Sequence, residues 1–139
     1  VTKISDASPG PYLFVAEGML MYLDPPEVRS LFVRLANGFA NTRIVFDSIS
    51  PLVVRHQRLH DSMKHMMDAP FRWGLSDVRD LEAWDRRLRV SDSATLPDIA
   101  RRFSGRVALR HRITGSIIQR ALPAFANAYR LTRLDLRRA

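Results

Sequence analysis

The chain has 139 residues, 46% of them hydrophobic, with a formal charge of +8 and no cysteine. Its length suits a single domain with an ample core, and the absence of cysteine excludes disulfides and thiolate metal sites. No stretch approaches the roughly 20 apolar residues of a membrane span, and no basic-then-apolar leader opens the sequence, so the expectation is a soluble protein of the cytoplasm without a secretory signal.

After a polar stretch ending in Ser8-Pro9-Gly10, the apolar run Pro11–Ala16 closes on Glu17-Gly18. It is continuous rather than alternating, the pattern of a strand buried on both faces. Gly18–Leu23 reads as a loop or short turn. Asp24 followed by Pro25, Pro26 and Glu27 predicts a helix start: an acceptor at the N-cap, proline in the first turn and a carboxylate three residues on. Val28, Leu31, Phe32, Leu35, Ala36 and Phe39 then share one helical face, and Gly38 and Asn41 supply the stop. A second strand, Thr42–Phe46, closes on Asp47-Ser48. Ser50 and Pro51 predict a further helix, capped by Ser50 and running to about Met67.

A short helix opened by Ser76 or Asp77 turns Val78, Leu81 and Trp84 inward. A third strand spans Leu88–Thr95, interrupted by Asp92. Helical stretches are expected at about Pro97–Phe103 and Thr114–Leu122, and a last, more alternating strand at Tyr129–Leu136. Strand, helix, strand describes a βαβ crossover, and ligands in open α/β sheets bind at the carboxyl ends of the strands. Neighbouring strands lie roughly 4.8 Å apart, so Glu17 and Asp47 are expected on one rim.

The run Val15-Ala16-Glu17-Gly18-Met19-Leu20-Met21-Tyr22-Leu23, with Glu27-Val28-Arg29 after it, resembles the central signature of the leucine carboxyl methyltransferase family. That family includes bacterial O-methyltransferases of the polyketide-tailoring type. The resemblance continues through Leu35-Ala36, Ile44–Pro51, Phe71–Leu75 and Leu81–Asp85, about two thirds of the chain in register. It implies an α/β fold: the C-terminal half of a Rossmann-like methyltransferase sheet, mostly parallel with a final antiparallel strand. The family sheet has seven strands, of which residues 1–139 would supply the fourth to seventh as a partial domain. It implies S-adenosylmethionine as cofactor, yet the glycines at 10, 18, 38, 74, 105 and 115 never form a G-x-G after a strand, so the cofactor-cradling turn is missing. The expectation is therefore a truncated or partial methyltransferase, inactive or very weak alone, whose first strand offers an open edge for self-association or for an N-terminal half.

By the same resemblance, Glu17 is the candidate contact to the cationic part of the cofactor, and Tyr22 helps wall the site. The alternative for Glu17 is a local cap on strand-end amides. Asp47 either orients a small-molecule substrate or pairs with an arginine such as Arg55. Arg72 and Trp73 fall where the family builds part of a substrate lid, so an acidic substrate could meet Arg72, although a tryptophan of this kind often packs in a core. His56 and His60 have metal-ligand spacing, with His65 further along, but no third ligand lies nearby, so no metal site is assigned. No side chain is assigned a catalytic role, since methyl transfer from a sulfonium is chiefly a matter of alignment.

A second class of function is an interaction module without enzymatic activity, binding a partner protein or nucleic acid through the open edge and the basic second half. Residues 1–69 carry seven basic and seven acidic side chains, residues 70–139 fifteen and seven. Against nucleic acid, the arginines lie among Leu, Asp and Ser without aromatic interleaving or a recognisable motif.

Overall fold

A computed structural model describes residues 10–57, 69–103 and 128–138. The fold is mixed α/β around one four-stranded sheet. Its elements are β1 (Leu13–Ala16), α1 (Pro25–Gly38), β2 (Thr42–Ile49), α2 (Pro51–Arg55), β3 (Leu88–Thr95), α3 (Leu96–Arg102) and β4 (Tyr129–Leu136), with 3₁₀ turns at Leu20–Tyr22 and Val78–Ala83. The strand order is β1-β2-β4-β3. β1 and β2 are parallel neighbours, and β4 runs antiparallel to both β2 and β3.

The βαβ crossover forms because α1 has a clean apolar stripe and firm ends. The Glu27 carboxylate accepts the Asp24 N–H at 2.9 Å, satisfying an amide that the first turn leaves orphaned. Val28, Phe32 and Ala36 are buried against Ile44 and Phe46 of β2, with Leu31 and Leu35 at the margin. Asn41 turns the chain back into β2 in the left-handed region, φ 55°. On the same side Phe39 stacks edge-on against Tyr12 and Phe14, with ring centroids 5.0 and 4.9 Å away.

Three expectations about the strands need correction. β1 is buried on one face, not both: Phe14 and Ala16 pack against the core, but Leu13 and Val15 are 62% and 66% exposed because no described residue covers the opposite face. β2 continues past Phe46 to Ile49, because β4 pairs with it for three further residues, Asp47 with Leu131, Ser48 with Arg130 and Ile49 with Tyr129. Asp92 does not break β3. A register shift between Val90 and Asp92 leaves Ser91 as the extra residue of a bulge, and Asp92 pairs with Arg102 of α3 at 2.7 Å.

Ser50 sits at the N-cap of α2 but makes no side-chain capping bond, and its Oγ is buried without a hydrogen-bond partner among the described residues. The helix is described to Arg55; its expected continuation to Met67, with His60 and His65, and the expected helix Thr114–Leu122 lie outside the described residues. The chain re-enters at 69 and runs extended along the sheet. Alternation there buries Phe71, Trp73 and Leu75 and turns Arg72 outward. Gly74 is required by close approach: a Cβ would lie 2.8 Å from Val54 Cγ2. Asp77 opens the next turn by accepting the Arg79 N–H, with Val78 and Leu81 buried as expected. No helix among the described residues is long and apolar enough to cross a membrane.

Candidate functional site at the carboxyl rim of β1 and β2

The parallel pairing ends with Ala16 opposite Phe46, so Glu17 and Asp47 occupy the next position on adjacent strands. Their environments differ sharply. Glu17 is exposed, while Asp47 is 2% exposed because β4 covers its strand where β1 has already stopped. Asp47 Oδ1 accepts the Gly18 N–H at 2.8 Å, and Oδ2 accepts the Tyr129 hydroxyl at 2.7 Å. Buried carboxylates persist where donors satisfy them, and here one donor comes from each neighbouring strand. The bond to Gly18 holds the turn after β1, where φ is +61° and glycine avoids the strain of a side chain. Glu17, one residue earlier, is thereby aimed from a fixed backbone.

Tyr129 stays a neutral donor. Burial, the hydrogen bond to Asp47 and the negative charges of Asp47 and Glu17 together push its phenol well above the ordinary value of 10.0. Tyr129 was not singled out from the sequence, although a signal was present. If the last strand is antiparallel, its first residue returns to the rim where the parallel strands end.

Tyr22 is half-buried and packs on Phe71 at 5.4 Å, in a small apolar cluster with Met21, Ile49 and Tyr129. The rim therefore combines an exposed acid, a buried acid and an aromatic wall. Arg72 is tied to this wall through its backbone, since the Arg72 and Trp73 N–H groups both donate to Met21 O, at 2.7 and 3.1 Å. Its guanidinium turns away and pairs with Asp24 at 3.1 Å, both side chains half exposed. Trp73 lies in the core, 3% exposed and 6.5 Å from the Phe46 ring. Arg55 does not pair with Asp47; it lines a cleft with Arg72 and Trp84 beside α2. The His56 ring is within 3.0 Å of Leu52 O, and no group of three or more metal-capable side chains gathers among the described residues.

A wider groove opens at the other end of the strands, between Tyr12, Phe39, Arg43 and Arg138. No described acid lines it, and Arg43 reaches out to Asp135 at 3.7 Å, ion-pair distance but beyond a hydrogen bond. The rim is the better candidate, because there backbone turn, carboxylates and phenol are fixed on one another. Scanned against models of known protein families the chain matches none, and no curated protein matches it.

Proposed function

We propose that the chain forms the cofactor- and substrate-facing half of an S-adenosylmethionine-dependent O-methyltransferase acting on a carboxylate or hydroxyl of a small molecule. The observation that carries this reading is the pair of acids at the same level on adjacent parallel strands, one exposed and one locked to the turn between them. The antiparallel last strand and the uncovered edge of β1 also support it, since they accord with the fourth to seventh strands of the sheet that the sequence resembles. In that sheet further strands pair beyond β1 and bring the glycine-rich turn that these residues lack.

When bound, the cofactor supplies a methyl group on a sulfonium whose leaving group departs neutral, so little acid–base help is needed. The residues present fit its cationic side. Glu17 offers a free carboxylate to positive charge, and Tyr22 with Phe71 provides an apolar wall that excludes water. Asp47 has both oxygens occupied, so its part is to hold the Gly18 turn, not to touch a ligand. Arg72 reaches an acidic substrate only by exchanging its exposed pair with Asp24, a weak contact to displace. Trp73 contributes by fixing the segment that carries Arg72.

Calorimetric titration with S-adenosylhomocysteine, for the chain alone and with an added N-terminal half from the resembled family, tests the reading. Saturable binding in the mixture that weakens in Glu17→Gln supports it; no heat in either experiment refutes it. The exposed Leu13 and Val15 on an open edge favour one second reading, a module that adds a partner's strand. Retention on a polyanion that falls with salt, without response to S-adenosylhomocysteine, would point to that class instead.

A further inference from the structure

A pocket at the start of β4 combines one arginine with serine hydroxyls and apolar walls. Arg130, opposite Ser48 across the β2–β4 ladder, lines it with Ser48, Ser50 and Ser76, and Leu52 and Leu75 form apolar walls. Among the described residues no acid lines it. Arg130 is half-buried and makes no side-chain hydrogen bond or ion pair with any described residue. Arg87 is the instructive contrast. Its side chain is 18% exposed, and its guanidinium binds both oxygens of Asp85, at 2.8 and 2.6 Å, and Asn37 Oδ1 at 2.7 Å. Removing a guanidinium from water costs free energy unless acceptors replace the water. Among the described residues Arg130 finds no such acceptor, and the buried Ser50 Oγ, which lines the same pocket, finds no partner among them either.

We infer that this pocket binds the carboxylate of a small monoanionic molecule with an apolar body, held by the Arg130 guanidinium and the serine hydroxyls. One cation matches one negative charge. A planar carboxylate matches the planar donor fork of arginine, and an incoming oxygen satisfies the orphaned Ser50 hydroxyl. The hydrocarbon part lies against Leu52 and Leu75, whose burial favours binding without adding charge. Arg72, the arginine expected from the sequence to meet an acidic ligand, is occupied by Asp24. The pocket borders the rim through Ile49, which lines both, but its charged and hydroxyl groups are none of those assigned to methyl transfer.

The test uses the full chain and benzoate, followed by nuclear magnetic resonance at the Arg130 Nε–H and the Leu52 and Leu75 methyl groups, with benzyl alcohol as the uncharged analogue. Benzoate is expected to saturate these signals and to bind at least about tenfold more tightly than benzyl alcohol, the scale of a charge-assisted hydrogen bond. Arg130→Gln removes that preference, and Ser50→Ala weakens benzoate about threefold or more. Equal affinity for the two compounds in the unmodified chain overturns the inference without reliance on any variant's folding. So does benzoate binding that shifts only signals near Arg43 and Arg138, or that survives unchanged in Arg130→Gln. Titration with S-adenosylhomocysteine separates the two readings. Benzoate binding without a response to that compound keeps this pocket and removes the methyltransferase, and the converse result does the opposite.

Discussion

Glu17 and Asp47 both follow a short apolar run, and they face each other across a parallel pair, yet one is bathed in water and the other is sealed in protein. The difference lies in what stands beyond each strand. β2 is interior, so β4 continues over Asp47 and delivers the Tyr129 hydroxyl to it. β1 is the edge, so nothing described reaches past Glu17. The same contrast governs their apolar neighbours: Phe46 is fully buried and Val15 is 66% exposed. Position in the sheet, rather than the local run of residues, sets what each acid can do.

The largest expected effect breaks that contrast at its apolar level. Phe46→Ala should cost about 3–5 kcal/mol, from lost burial and the cavity left among Phe32, Trp73 and Leu134. Val15→Ala should cost less than about 0.5 kcal/mol. Urea unfolding of both variants checks the pair, and comparable losses would mean that β1 is covered in solution.

Next comes the acid itself. Asp47→Ala leaves the Gly18 N–H and the Tyr129 hydroxyl without their acceptor and should destabilise by about 2–4 kcal/mol. Glu17→Gln should stay within about 0.5 kcal/mol and act instead on S-adenosylhomocysteine binding. Amide exchange at Gly18 should accelerate in the first variant and not in the second.

Tyr129→Phe should cost about 1–2 kcal/mol, less than loss of the carboxylate, because Asp47 keeps its bond to Gly18. Its pH signature has a definite sign. The folded-state pKa of Tyr129 is raised above 10.0, so its stabilisation is fully present below that value and is lost as pH rises above it and unfolded chains ionise first. Absorbance titration should show one tyrosine resisting ionisation, and Asp47→Asn should bring it down.

A third carboxylate, away from the rim, gives a signal only in acid. The Arg87 guanidinium and backbone N–H hold Asp85 down at about 2, against an ordinary 3.8. Its contribution is intact above pH 3.8 and disappears as pH falls through about 2. Carboxyl chemical shifts followed through acid check this, and a midpoint near 3.8 would contradict the pairing.

How much was legible in the sequence varied with how local the cause was. The stripe and first-turn chemistry of α1, and the limits of β3 and β4, needed only neighbouring residues, and the structure agrees with them closely. The sequence ends β2 early because Asp47 and Ser48 look like the start of a turn, and only pairing with β4 keeps them in the strand. The place of Ser50 before Pro51 predicts a cap, but its hydroxyl makes no capping bond. At the rim, both acids and Tyr22 were found from the ends of apolar runs and the family likeness. Tyr129 escaped, because 82 residues separate it from Asp47.

The sequence by itself located most of the described elements and the acids that follow two apolar runs, since periodicity, proline and capping chemistry act over a few residues. It could not say which acid would be free. Burial and hydrogen bonding are settled by strands that meet from distant parts of the chain. Only the tertiary structure, by placing β4 beside β2 and leaving β1 at the edge, made Asp47 a buried strut and Glu17 an available charge, and left Arg130 in a pocket without a counter-ion among the described residues.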